Sequence, residues 1–188
     1  MGDRGTVSAM LALSQVLLTL LYGPLGCRGA TPPREPGPLV APDAWEWVDA
    51  AEDPFSDRPS AVSCDEGAWL MEAIGPDDSL SVDTTDCDYL AVRQPALLDV
   101  EPGDELFVRL WHYDLSAGAD AEAHAALWFG GALSWEDRVP IPSESGMLAP
   151  EWAAEVAVSA GEDIYFHLHN HGANSYNLIE VSVTPPQD

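Results

Sequence analysis

Beyond residue 68 the chain alternates. Apolar side chains recur at every second position in short runs, the period of a half-buried strand. Trp69 to Ile74 is one such run, closed by Gly75-Pro76-Asp77-Asp78. Leu80, Val82 and Thr84 alternate with polar residues, and Tyr89 to Leu98 makes a longer run. Pro95 cannot donate to a ladder, which pushes that strand toward an edge or a bulge. After the Pro102-Gly103 turn, Leu106, Val108 and Leu110 alternate with Phe107, Arg109 and Trp111. Ser116 to Ala123 reads as a loop of small residues or a short helix. His124 to Phe129 and Ala132 to Glu136 flank Gly130-Gly131 and predict a hairpin. Trp152 to Val158 predicts a further strand, and Ile164–His169 with Tyr176–Val183 a last pair. Roughly eight or nine short strands at about 8–12-residue spacing predict an all-β, antiparallel two-sheet β-sandwich of jelly-roll type over residues 61–188.

The first sixty residues differ. A short n-region, Met1 to Arg4, precedes an almost wholly apolar run from Val7 to Tyr22. That layout predicts a secretory signal peptide over residues 1–26, its apolar core short for a membrane span. It ends in Leu25-Gly26-Cys27, which resembles the lipobox of bacterial lipoproteins. The resemblance covers the first 27 residues and departs from the pattern at Pro24, where the family prefers Leu. It implies acylation of Cys27 and a membrane-anchored protein in the periplasm or on the cell surface. Cleavage after Gly29 by an ordinary signal peptidase is the alternative. Pro32, Pro33, Pro36, Pro38 and Pro42 favour extended polyproline II, so residues 27–60 read as a tether. Trp45 and Trp47, two apart, would face one way on a strand, docking on the domain edge or forming an exposed aromatic site.

Export sets the reading of the cysteines. With Cys27 lipidated or cut away, Cys64 and Cys87 remain, an even pair that predicts one disulfide. Charge narrows the partners. The chain has 32 Asp and Glu against seven basic residues, all Arg, for a net charge of −25. Such a surface repels phosphate backbones and excludes nucleic acid as a partner. The want of Lys removes Schiff-base chemistry. A content of 46% hydrophobic residues, with seven Trp, supports a real core.

Three groups of residues could carry chemistry. His167, His169 and His171 would share one strand face, with Ile164, Phe166 and Leu168 on the core face. Neighbours on that face lie about 6.5–7 Å apart, within reach of one zinc or copper ion, whereas the first and third lie about 13 Å apart. A further ligand would come from His112, His124, Asp114 or Glu180. The His-x-His pair resembles that of cupin jelly rolls and of carbonic anhydrase. The later Glu and His of cupins have no counterpart in the set places here. The alternative is three partly exposed histidines near a strand end, hydrogen-bonded by Asn170 and Asn174. Second, Arg109, Trp111 and Tyr113 share the non-core face of their strand, and Trp128 and Trp135 flank the Gly130-Gly131 turn. Flat rings beside polar groups suit a glycan; the alternative is that they are core. Third, Asp77, Asp78, Asp83, Asp86 and Asp88 crowd one stretch, suiting calcium or simply an acidic surface.

No Gly-x-Ser-x-Gly elbow, P-loop, dinucleotide fingerprint or His-Glu-x-x-His motif occurs. The sequence therefore predicts a non-catalytic binding module for a glycan or a partner protein. The alternatives are a metal-binding domain, with or without hydrolytic activity, and a structural surface protein. Replacing Cys27 by Ser should release the protein from membranes in a fractionation experiment; attachment that survives the change would overturn the lipid anchor.

Overall fold

The computed structural model describes residues 33–187, so the expected signal peptide over residues 1–26 and Cys27 lie outside the described residues. From Arg34 on, the described residues form one compact unit whose regular elements are all strands. The strands are β1 (Gly37–Pro38), β2 (Glu46–Trp47), β3 (Trp69–Ile74), β4 (Asp77–Asp83), β5 (Tyr89–Pro95) and β6 (Glu105–His112). They continue with β7 (Ala121–Phe129), β8 (Ala132–Ile141), β9 (Gly146–Leu148), β10 (Glu151–Ala153), β11 (Asp163–His169) and β12 (Ser175–Thr184).

Two antiparallel sheets face each other. The first runs β3-β4-β12-β6, with β9 and β10 lying end to end along the free edge of β6. The break between them falls at Ala149-Pro150, where proline has no N–H to donate. The second runs β2-β5-β11-β7-β8. From β4 onward the chain passes between the sheets in the order of a jelly roll, so the predicted fold class is the one observed. Period-2 alternation explains the layers: Leu106, Val108 and Leu110 of the first sheet meet Leu127, Ile164, Phe166 and Leu168 of the second in one buried core.

The hairpin at Gly130-Gly131 forms between β7 and β8 as the sequence predicts. Both glycines take positive φ, 59° and 76°, which side chains resist in a two-residue turn. The strand expected over Trp152–Val158 is shorter: Glu151–Ala153 pairs with β6, and Val158 makes only an isolated bridge to Val100. Cys64 and Cys87 form the predicted disulfide.

The tether reading fails for residues 34–60. β1 extends the row of β4 along β12, and β2 adds to the edge of β5. Between them, Leu39 is fully buried and joins both sheets: its N–H donates to the Val181 carbonyl of the first, and its carbonyl accepts from Leu97, which follows β5 of the second. Gln94 holds the Ala41 backbone at both its N–H and its carbonyl, at 2.7 and 2.9 Å. Trp45 enters the core against Phe166, while Trp47 stays at the surface under the Arg58 guanidinium. Proline spacing could not reveal this, because an extended chain suits a sheet edge as well as a stalk.

Arg34 anchors the start of the segment on Asp104, a carboxylate only 1% exposed. Burial alone would raise that carboxyl, but hydrogen bonds from Arg34 and the Glu101 N–H, with the guanidinium charge, hold it below its ordinary 3.8. A carboxyl depressed in the folded state binds fewer protons there than when unfolded. Its stabilisation is full above pH 4 or so and is lost as pH falls below that. Urea titrations from pH 6 down to pH 2 should show this loss, and Arg34→Gln should weaken it; an identical acid profile in the variant would refute the anchor.

Candidate functional site

Two faces of the sandwich carry polar and aromatic groups outside the core, and they differ in cover. On the second sheet, β5 has four consecutive buried residues, Tyr89 to Val92. One face of a strand packing on the core would bury only alternate residues, so a second layer must lie outside. That layer is residues 48–62. Val48 and Val62 pack with Tyr89, Ala91 and Tyr165 on the outer face. Phe55 stacks on the His167 ring at 4.7 Å and meets Trp128 edge-on. Asp53 accepts hydrogen bonds from the Tyr89 hydroxyl and from Arg58, at 2.7 and 2.6 Å. Burial first, and then the Asp53 carboxylate, push the Tyr89 hydroxyl well above its ordinary titration range.

Under this layer the histidines gather. β11 and β7 pair with His169 opposite His124, and the diagonal places His167 beside it. His167 Nε2 lies 3.2 Å from His124 Nδ1. Asp57 reaches in from the cover, its Oδ2 2.7 Å from His124 Nδ1 and 3.3 Å from His167 Nε2. Glu136 of β8 meets the other nitrogen of His124 at 2.9 Å. His169 Nδ1 stands 3.8 Å from the same Asp57 oxygen. Hydrogen bonding from His167 is the main influence that holds the Asp57 carboxyl low, with His124 adding to it. Complete burial pushes the His167 imidazole down, below its ordinary value. His169 is lowered by its partial burial and by its neighbours His171 and His167.

The outer face of the first sheet is open. Arg109, Trp111 and Tyr113 follow one another along it as predicted. Trp111 and Tyr113 meet edge-to-face at 6.3 Å. With Ile74, Asp77, Met147 and Ile179 they line a hollow of about 400 Å³. Tyr113 is 53% exposed and Met147 42%, so apolar surface faces solvent here. Arg109 is held from both sides, by Glu180 at 2.8 Å and Asp77 at 3.2 Å. Adjoining hollows continue the depression past Glu180 and Ser182 in one direction and past Glu72 and Ser81 in the other.

The remaining candidates scatter. Trp128 stands on the second sheet beneath Phe55, and Trp135 stacks on Trp152 at the far edge of the sandwich, so neither joins Trp111. His112 points inward, packed near Tyr176 with Nδ1 at the Tyr113 carbonyl, away from the other histidines. His171 is exposed beyond the end of β11, near His169 alone. Glu180 pairs with Arg109 and Asp114 accepts the Ser145 N–H, so neither serves the histidines. Asn170 and Asn174 bond Thr84, Tyr176 and the backbone rather than the histidines. The acidic run also divides: Asp77 serves Arg109, while Asp83 and Asp88 accept backbone N–H groups. Among the described residues, the group with metal-like donor spacing is Asp57, His124 and His167. Local sequence gave no sign of Asp57 or Glu136, since one comes from the cover and the other from a neighbouring strand.

No family model matches the sequence, and no curated protein matches it. Solved structures resemble it distantly. A carbohydrate-binding module described for specific mannan recognition is 10% identical, over 82% of this chain and 97% of that one, with a TM-score of 0.44. A module specific for non-crystalline cellulose is 11% identical, over 79% and 96%, at 0.42. The K1 adhesin domain of Lys-gingipain from Porphyromonas gingivalis W83 is 15% identical, over 78% and 94%, at 0.43. Identities and TM-scores this low leave the ligand to be argued from this chain's own surface.

Phe55 holds the cover down, being 7% exposed between His167 and Trp128. Phe55→Ala should cost about 3–5 kcal/mol, as large-to-small changes at buried aromatic sites do. It should also open residues 49–60 to protease before the sandwich itself unfolds. Cleavage no faster than in the parent protein would show that the cover is held elsewhere.

Proposed function

We propose that this chain is a non-catalytic binding module that holds a glycan along the outer face of the first sheet. The observation that carries the reading is the hollow formed by Trp111, Tyr113 and Met147 beside the fixed Arg109–Asp77 pair. A sugar ring has an apolar face and a rim of hydroxyls. The aromatic rings supply the stacking surface, and Arg109, Asp77 and Glu180 supply donors and acceptors whose positions are set by their own ion pairs. The depression is long and shallow, which suits a chain of sugars more than a small enclosed metabolite. Ion pairing also matters to the charge. In a molecule carrying −25, an uncompensated basic residue would draw anions, whereas Arg109 is balanced by two carboxylates. The hollow is therefore suited to a neutral polyhydroxylated ligand.

The signal-like opening and the disulfide support work outside the cytoplasm. In this proposal Cys27 anchors the module to a membrane, as the lipobox-like residues suggest, and the sandwich presents its first-sheet face to surrounding polysaccharide.

Screening the protein on a glycan array, followed by calorimetry on the best ligand, tests the reading. Trp111→Ala and Tyr113→Ala should each weaken binding by about tenfold, equivalent to roughly 1.4 kcal/mol. Trp47→Ala, on the other sheet, should leave affinity unchanged. Binding that is indifferent to both first-sheet variants, or no glycan bound at all, would overturn it.

A further inference from the structure

We infer that Asp57, His124 and His167 form a site for a divalent late transition metal, zinc or copper, which clamps residues 49–60 onto the second sheet. A tetrahedral ion with bonds near 2.0–2.1 Å holds its ligand atoms about 3.3 Å apart. His167 Nε2 stands 3.2 Å from His124 Nδ1 and 3.3 Å from Asp57 Oδ2, so two edges of such a tetrahedron are already in place. The third edge, His124 to Asp57, is 2.7 Å and needs only a small opening. The fourth corner is left to a water; His169 Nδ1 stands 3.8 Å from the Asp57 oxygen, outside the group of three.

The surroundings are those of a built site. Glu136 bonds the nitrogen of His124 that faces away from the other donors. A carboxylate behind a ligating imidazole is the arrangement that fixes ring orientation and strengthens the ligand. His167 is wholly buried, so its ring cannot leave the cluster without disturbing Phe55 and Tyr89, which pack against it. Without an ion the group is poorly matched. If His124 and His167 both turn N–H groups to the single Asp57 oxygen, two donors face each other at 3.2 Å. An ion among the three lone pairs removes that conflict.

The donor set also selects the ion. Two imidazole nitrogens and one carboxylate oxygen suit zinc or copper. Calcium requires six to eight oxygens, which this pocket does not supply. Because Asp57 belongs to the cover while the histidines belong to β7 and β11, the ion joins parts of the chain that are remote in sequence. Its effect is to hold the covering segment closed.

The full-length protein, prepared without a polyhistidine tag, is dialysed against zinc, copper(II) or calcium, and bound metal is measured by elemental mass spectrometry. Deuterium exchange of residues 49–60 is followed with and without the ion. Stoichiometric zinc or copper is expected, with slower exchange across the cover. Asp57→Asn and His124→Gln should each lower affinity by at least about 100-fold, and Glu136→Gln by about 10–100-fold. His171→Ala and Trp111→Ala should bind as the parent does, which separates this site from the glycan face. Circular dichroism confirms that each variant is folded, and Asp57→Asn, at a partly exposed position, carries the test if His124→Gln is not. Failure to retain zinc or copper would overturn the site. So would undiminished retention in Asp57→Asn, or calcium held in their place. Metal bound without any change in exchange would overturn the clamp.

Discussion

The structure depends on a strip of chain, residues 34–62, that lies against both sheets. Leu39 joins the first sheet at Val181 and the second at Leu97, and Gln94 grips the next turn of backbone. A jelly roll leaves open edges whose unpaired N–H and C=O groups invite pairing with other chains. β2 occupies one of those edges, and β1 pairs the stretch of β12 that β4 leaves free. The same strip then crosses the outside of the second sheet and turns a solvent-facing surface into an interior. Four consecutive buried residues in β5 and a wholly buried imidazole in β11 both follow from that.

That cover divides the labour of the two outer faces. The second sheet's face is closed by Phe55, Val48 and Val62, and its polar groups are enclosed beneath them. The first sheet's face has no such layer over β6, and its aromatic and charged groups remain accessible around a hollow. The proposals attach to this division: an extended neutral ligand on the open face, and an ion fixing the lid of the closed one. Each stands on separate residues, and neither needs the other.

Much of the candidate chemistry was legible before the fold was known. Arg109, Trp111 and Tyr113 alternate with core residues, so their common face follows from the strand period alone. His167 and His169 share a face for the same reason. The grouping failed where it depended on which strands are neighbours. Trp128 and Trp135 flank one turn, yet a register shift after Leu127 and the position of β8 send them to different surroundings. His112 and His124 were equal candidates by sequence. Only the pairing of β7 with β11, rather than β6 with β11, chose between them.

By itself the sequence determined the local quantities: strand period, the hairpin at Gly130-Gly131, the sandwich class and the pairing of Cys64 with Cys87. Each arises from interactions among residues close along the chain or from simple counting. The tertiary structure alone decided that residues 34–60 are part of the domain, and that Asp57 and Glu136 meet His124. The reason is physical. Proline-rich chain is extended wherever it lies, so its period carries no information about burial, and a side chain brought in from a separate segment leaves no trace in the spacing of the residues it joins.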